Sequence, residues 1–368
     1  MDVDAIFTAN NWAVVPFHFW SLVYFSLGCI VGSFLNVCIH RMPLEMSVVT
    51  PPSHCPHCKY AIPFYLNIPL ATWLLLRGRC KNCGAPISVR YFIVELLTGL
   101  VFLGCWLAYG HYSAWVALVL AIFTAGLIVA TFIDFEHYII PDEITLGGTV
   151  AGIIISVILP ALHGTRSHPL SLSLAVFGAA FGAGIVYAIL RLGKLLFGRQ
   201  KLKVPPGTKV VFFETSLFLA SREIPYEEIF YRKSDVIVLE AQMLELVDRG
   251  YKDVSVRLSP SLLQIGQEKF DPITIKYMEA AGPEIIVPRE AMGLGDVKFM
   301  GAIGAFLGWQ GALFSLMASS VIGAVVGIVL IAVGKRAWSS RMPYGPYIAL
   351  AAVIWIFVGK KISAVLFG

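Results

Sequence analysis

The chain has 368 residues, of which 57% are hydrophobic and only 14% are charged, and its formal net charge is +5. This composition is too apolar for an ordinary soluble domain. Apolar stretches of about 18–22 residues recur, which matches the ~20 helical residues that cross a bilayer. The sequence therefore predicts a membrane protein that crosses the bilayer several times as α-helices.

Eight apolar segments are predicted to span the membrane, so the expected fold class is an all-α polytopic membrane protein. At ~1.5 Å per residue the sixth segment barely crosses a bilayer, and a re-entrant half-helix is the alternative there. A turn at 308–311 is expected to separate it from the seventh. In chain order the segments are 18–39, 92–109, 114–133, 144–162, 172–190, 297–309, 311–334 and 344–366.

Basic residues near the segment ends predict the orientation, because cytoplasmic loops carry an excess of Lys and Arg. The N-terminal stretch lacks them, whereas the loop after the first segment is rich in them: Arg41, Lys59, Arg77, Arg79, Lys81 and Arg90. We expect the N-terminus to lie on the outer side of the membrane. The loops expected in the cytoplasm are 40–91, 134–143, 191–296 and 335–343.

Residues 198–290 differ from the rest of the chain in composition, because they hold 27 of the chain's 51 charged residues. Such a balance predicts a soluble cytoplasmic insert, α/β or β-rich. Stretches such as "KVVFF" and "VSVRLSP" suggest short strands, and a helix is expected near 238–249.

Four cysteines form two C-x-x-C pairs, Cys55 with Cys58 and Cys80 with Cys83. Two such knuckles can aim four sulfurs at one point, which is the tetrahedral site of a structural Zn²⁺ ion. Two redox pairs or two disulfides are the alternatives, and the reducing cytoplasm disfavours the disulfides. The neighbouring His54 is expected to be a bystander, as is His57.

Two carboxylates are expected at the cytoplasmic membrane edge. Asp134 ends the third segment in "FIDFEHYIIPDEIT", and Asp296 begins the sixth in "GLGDVK". Two aspartates that share a proton around one water molecule can hydrolyse a peptide bond. Gly293 and Gly295 would let the backbone bend and a substrate strand approach. A helix cap is the alternative role for Asp296.

Three other residues have alternative interpretations. Lys298 either orients Asp296 or reaches a lipid phosphate. Glu95, inside the second segment, is a functional candidate because ionisable groups in membrane segments are costly. Asp142, directly after Pro141, is expected to cap the fourth segment. The G-x-x-x-G pairs, among them Gly178 with Gly182 and Gly304 with Gly308, are expected to pack helices closely.

These motifs resemble the type 4 prepilin peptidases, which are intramembrane aspartic peptidases of the G-x-G-D kind. "GLGDVK", "DFEHYIIPD", "GSFLNVCIHRMP", the double C-x-x-C hairpin and "RYFIVELLTG" occur in the family's order. The resemblance implies that Asp134 and Asp296 are the peptidase aspartates. The substrate would be a type IV prepilin or a type II secretion pseudopilin, cut after a basic leader. The enzyme would then methylate the new N-terminus with S-adenosylmethionine.

The resemblance also implies a domain order and a location. Residues 1–39 would hold the first span, 40–91 the zinc hairpin linked to methylation, and 92–197 spans two to five. The insert 198–290, absent from compact members, is a candidate docking module for a pilus or secretion assembly component. Residues 291–368 would hold the G-x-G-D motif and the last spans. The expected location is the bacterial inner membrane, in contact with lipid and with no nucleic-acid partner.

Two other classes remain as alternatives. An ion-coupled transporter could use Asp134, Asp296 and Glu95, although transporters place such carboxylates near mid-bilayer. A membrane-anchored binding protein could use the zinc hairpin, with the aspartates as helix caps.

Overall fold

The chain forms two compact units, residues 1–187 with 294–368, and residues 188–293. The start of the predicted first domain, residues 1–15, and most of the predicted loop 335–343 lie outside the described residues. The computed structural model describes residues 16–197, 199–205, 208–219, 222–226, 229–230, 235–288, 293–334 and 342–366.

The first unit is helical, and among its described residues five helices are long and apolar enough to cross a membrane: α1, α3, α4, α6 and α7. The shorter α5 corresponds to the predicted segment 144–162, and α8 to the predicted last segment. The bounds in chain order are α1 Phe17–Arg41, α2 Ala71–Leu75, α3 Val89–Tyr109, α4 Ala114–His137, α5 Asp142–Ile158, α6 His168–Phe197, α7 Leu294–Ala332 and α8 Gly345–Leu366.

Contacts between helix ends show how these helices alternate in direction. Trp106, near the end of α3, donates from Nε1 to the carbonyl of Phe17 at the start of α1 (3.3 Å). Tyr109 donates to the carbonyl of Ile356, three turns into α8 (2.5 Å). The start of α1, the end of α3 and the later turns of α8 therefore meet at one end of the bundle. The starts of α3 and α8 lie at the opposite end.

Helix α7 is interrupted at Gly308, which has φ 71° and ψ 177°. A methyl group added at Gly182 would lie 2.3 Å from the carbonyl oxygen of Met300 and 3.3 Å from Cβ of Ala312. Twelve residues of straight helix would separate Met300 from Ala312 by about 18 Å. The chain therefore doubles back at Gly308, which confirms the predicted turn between the sixth and seventh segments.

The glycine motifs pack helices closely, as expected. A methyl group added at Gly178 of α6 would lie 2.2 Å from the carbonyl oxygen of Gly304 in α7, and one added at Gly304 would lie 2.0 Å from that of Gly178. Only residues without a Cβ allow the two backbones this approach.

The second unit contains one antiparallel sheet, in the order β4-β3-β2-β9-β5-β6-β7-β8, with β10 pairing to β1 and β5. The β-rich alternative is thus confirmed. The ten described strands are β1 Arg199–Lys203, β2 Val210–Phe213, β3 Ser216–Leu219, β4 Arg222–Pro225, β5 Ile237–Leu246, β6 Gly250–Ser259, β7 Leu262–Ile265, β8 Glu268–Phe270, β9 Tyr277–Ala281 and β10 Glu284–Pro288.

The helix predicted near 238–249 is wrong, because this stretch forms strand β5 and the turn after it. Ile237, Leu239 and Ala241 are buried in alternation with more accessible residues, and they pack in the core of the sheet. A period of two matches a half-buried strand, and tertiary packing overrides the helix preference of Leu, Glu and Gln here.

The first and last strands of this unit pair with each other. Arg199 of β1 stands opposite Pro288 of β10, and Lys203 opposite Glu284. The chain therefore enters and leaves the sheet at neighbouring points, although Arg199 and Pro288 are 89 positions apart in sequence. Sequence distance between the two candidate aspartates is thus no obstacle to their meeting.

Candidate active site and candidate metal centre

Asp134 lies in the last turn of α4 and is only 6% exposed. Its Oδ2 accepts a hydrogen bond from the backbone N–H of Gly345, the first residue of α8 (2.9 Å). The first N–H groups of a helix have no partner within the helix, and they bind anions well. A methyl group at Gly345 would lie 2.8 Å from the same oxygen, so the carboxylate of Asp134 would have to shift to admit it.

The chain between α4 and α5 passes close to Gly345, the residue that binds this carboxylate. Helix α4 ends at His137, and its C-cap residue Tyr138 adopts a left-handed conformation with φ 57° and donates its N–H to the carbonyl of Asp134. Ile140 follows, and its Cδ1 would lie 3.1 Å from a methyl group at Gly345. Ile140 therefore packs next to the residue that binds Asp134.

Asp296 lies in the first turn of α7 and is 8% exposed. A methyl group added at its neighbour Gly295 would lie 3.6 Å from Cβ of Ile140. The side chain of Ile140 thus lies between Gly295 and Gly345. Ile140 therefore lies next to a neighbour of Asp296 and next to the residue that binds Asp134.

Ion pairs join further helix termini at this end of the bundle, which we name the aspartate end after Asp134 and Asp296. Lys298 of α7 contacts both carboxylate oxygens of Asp142 at the start of α5 (2.7 and 2.9 Å). Arg90 at the start of α3 pairs with Glu136 near the end of α4.

Lys298 contacts a carboxylate of another helix, that of Asp142, and its two expected roles stay predictions. Helix α5 begins at Asp142, and its N-cap position is Pro141. The expected capping role of Asp142 is therefore wrong by one residue, because the carboxylate follows the cap and contacts Lys298.

Glu95 is buried in α3, at 8% exposure. Its Oε2 accepts a hydrogen bond from the N–H of Leu70 (2.7 Å). Leu70 has φ 60° and immediately precedes α2, the short helix between the two C-x-x-C pairs. Glu95 thus ties the cysteine-bearing segment to α3.

The four predicted cysteines come together. Their sulfur atoms all lie within 4.8 Å of one another, with Cys55 3.8 Å from Cys83 and Cys58 4.0 Å from Cys80. Four sulfurs at ~2.3 Å from a zinc ion in tetrahedral geometry stand about 3.8 Å apart. The cluster therefore fits a metal ion with little adjustment. All four are free cysteines, so the disulfide alternative is wrong.

The two knuckles have the same backbone structure. In the first, Lys59 N–H donates to the carbonyl of Cys55; in the second, Gly84 N–H donates to that of Cys80 (2.9 Å each). Lys59 and Gly84 have positive φ values of 57° and 71°. Each turn thus directs its two thiols to one side, which is the arrangement of paired zinc knuckles.

A neighbouring amide favours the thiolate form of one ligand. Asn82 donates from Nδ2 to Sγ of Cys58 (3.6 Å). This hydrogen bond, with a second from the backbone of Tyr60, lowers the pKa of Cys58 to about 6. Thiolates rather than thiols bind metal ions, so the environment suits a metal centre. The ring of His54 contacts the carbonyl of Pro52 through Nδ1 (3.0 Å).

Comparisons with known proteins decide the family. A model described as the bacterial peptidase A24 N-terminal domain matches residues 26–109, and one described as the type IV leader peptidase family matches residues 121–204 and 273–328. A relative from Escherichia coli O78:H11, the type 4 prepilin-like proteins leader peptide-processing enzyme, is 37% identical over 48% of this chain and 68% of its own length. The chain belongs to the type IV leader peptidase family.

Other members of the type IV leader peptidase family match different shares of the chain. The prepilin leader peptidase/N-methyltransferase of Aeromonas hydrophila is 29% identical over 95% of this chain and 94% of its own length. The protein of the same name from Myxococcus xanthus is 42% identical over 50% of this chain and 58% of its own. No solved structure matches.

Sequence reasoning missed two contributors to the site, Gly345 and Ile140. Gly345 lies in "MPYGPY", where Pro346 takes the second position of α8. Proline in the first turn is a helix-start signal. Nothing in the local sequence indicates that this start would meet Asp134.

Proposed function

We propose that this chain removes the leader peptide from prepilins or pseudopilins, with Asp134 and Asp296 as the two catalytic carboxylates. The observation that carries the proposal is the pair of buried aspartates at one end of the helical unit, linked through Ile140. Membership of the type IV leader peptidase family supports the reaction class. The names of the relatives support the choice of substrate.

The two aspartates would divide the hydrolysis between them. One carboxylate takes a proton from a water molecule, whose oxygen bonds to the carbonyl carbon of the scissile peptide. The protonated partner gives its proton to the departing amide nitrogen as the carbon–nitrogen bond breaks. With Oδ2 of Asp134 bound by Gly345, Oδ1 is the oxygen that would act on water.

Neighbouring groups would keep this pair in position. Gly345 and the ion pair between Lys298 and Asp142 hold the starts of α8, α7 and α5. Gly293 and Gly295 would let the backbone bend beside Asp296. Little reorganisation is then needed when the substrate arrives, which is how preorganised sites lower a barrier.

We place the aspartate end at the cytoplasmic face of the bacterial inner membrane, with the N-terminus outside and about eight spans. The five long apolar helices support a membrane location. The basic residues of 40–91 support the orientation, because such residues remain in the cytoplasm. A substrate helix would then reach the aspartates from the bilayer.

We further propose that the chain N-methylates the new N-terminus, as the names of its relatives suggest. S-adenosylmethionine would donate the methyl group, and we assign no residue to its binding. The four cysteines would hold a structural Zn²⁺ ion that shapes the 40–91 domain. Glu95 would join this domain to α3 through Leu70.

The test compares purified variants on a full-length prepilin, with leader loss read by gel mobility. Asp134→Asn and Asp296→Asn should each lower cleavage by at least a thousandfold. Glu136→Gln is the matched control, since it neutralises an accessible carboxylate only two residues from Asp134 and should retain cleavage within about threefold. Full processing by either aspartate variant would disprove the dyad.

A further inference from the structure

An apolar groove of about 420 Å³ lies between α4, α5 and α7 of the helical unit. Its walls are apolar along most of its length, and the one charged residue that lines it is Glu143, in the first turn of α5. Representative lining residues are Ile122 and Gly126 of α4, Gly147 and Ala151 of α5, and Ala302 and Phe306 of α7.

The groove follows helix faces that continue to the aspartates. On α4, Leu127 lines the groove seven residues before Asp134, a spacing that returns to the same helix face about 10 Å further on. On α7, Phe299 lines it three residues after Asp296, about one turn further along the same helix face. The groove and the candidate catalytic site are therefore consecutive parts of the same helix surfaces.

The glycines of the groove differ in what surrounds them: methyl groups added at Gly148 and Gly126 would lie 3.4 Å from Ala302 and 3.8 Å from Ile144, whereas Gly147 is open. A methyl group added at Gly147 would meet no atom within 4 Å, whereas methyl groups at Gly178 and Gly304 would clash with backbone. In lipid, small residues on an open face allow the close approach of another helix. An open surface of this kind suits an incoming helix better than acyl chains, which gain nothing from a missing Cβ.

We propose that this groove seats the apolar transmembrane helix of the substrate, so that the polar segment to be cut emerges beside Asp134 and Asp296. This inference rests on the proposed peptidase function and adds where the substrate binds. From Glu143 to Ile155 the groove accompanies about 18 Å of helix, or about 12 residues of the occupant. The carboxylate of Glu143 favours an occupant that is cationic only at the aspartate end.

Photo-crosslinking tests the docking directly. Benzoylphenylalanine is introduced in place of Ile122, which lines the groove and is 57% exposed, in an Asp134→Asn background that prevents turnover. The matched control replaces Phe177 of α6, which is 54% exposed and is not a lining residue. We expect a tagged prepilin to crosslink at least tenfold more from position 122. Equal or absent crosslinking would overturn the groove assignment and leave lipid as its occupant.

Cleavage kinetics provide the second arm. Gly147→Leu fills the groove and should raise KM for full-length prepilin about tenfold while kcat stays within twofold. Gly184→Leu on α6 is the control, because a methyl group there also meets no atom within 4 Å, and it should change neither constant. An unchanged KM in Gly147→Leu would refute the groove assignment but not the proposed function. A wild-type protein that fails to cut prepilin would refute the proposed function itself.

Discussion

Asp134 and Gly345 are joined by a 2.9 Å hydrogen bond from a helix-start N–H to a buried carboxylate oxygen, across 211 positions of sequence. The bond fixes the end of α4 against the start of α8. A Cβ at position 345 would lie 2.8 Å from the same oxygen and would displace it.

Gly345→Ala should therefore displace the carboxylate of Asp134. We expect cleavage to fall by at least a hundredfold, because a shift of about 1 Å in a catalytic group costs on this order. Gly184→Ala should retain cleavage, since its added methyl group meets nothing. Wild-type cleavage by Gly345→Ala would show that this hydrogen bond does not position the site.

The ion pair between Lys298 and Asp142 should contribute modestly, since the two side chains are 37% and 58% exposed. Exposed pairs of this kind contribute about 0.2–1 kcal/mol. Lys298→Met and Asp142→Asn should each reduce cleavage about two- to fivefold. Exchanging the two charges in a double variant should restore most of the loss; an additive loss would show that the two residues act separately.

The contact between Gly178 and Gly304 should limit the stability of the helical unit. Gly178→Val places side-chain atoms where the backbone of α7 lies, and overpacking of this kind costs about 1–3 kcal/mol or more. The thermal midpoint in detergent should fall by several degrees. Gly184→Val, with open space around it, controls for the change in helix propensity and should leave the midpoint nearly unchanged.

The cysteine cluster should hold about one zinc ion per chain, measured by atomic emission on protein purified under reducing conditions. Cys55→Ser should abolish stoichiometric zinc, whereas Cys105→Ser, a buried cysteine of α3, should retain it. Asn82→Ala removes the hydrogen bond to Cys58 and should weaken zinc about 10- to 100-fold in competition with a chelator. A metal-free wild-type protein would reject the zinc assignment.

The pairing of β1 with β10 predicts that the sheet can be excised. Opposed residues of antiparallel strands stand about 5 Å apart, so a four-residue Gly-Ser linker in place of 199–288 spans the gap. We expect the shortened protein to fold and to cut prepilin in vitro. Loss of cleavage with retained zinc and helicity would instead assign the sheet a part in catalysis or substrate delivery.

Local sequence determined the features that depend on neighbouring residues alone. The long apolar runs predicted helices because a bilayer requires internally bonded backbone, and Gly308 interrupts one of them as expected. The two C-x-x-C turns predicted the sulfur cluster, since each turn orients its own thiols. The stretch at 237–246 was misjudged because its residues suit a helix, and only cross-strand pairing makes it a strand.

Only the tertiary structure decided which distant residues meet. Sequence motifs singled out Asp134 and Asp296, but Gly345, Ile140 and the pairing of Lys298 with Asp142 depend on how α4, α5, α7 and α8 begin and end beside one another. The groove beside Gly147 likewise depends on three helices that leave space between them. Such contacts arise from packing between residues far apart in sequence, and no local pattern of residues predicts them.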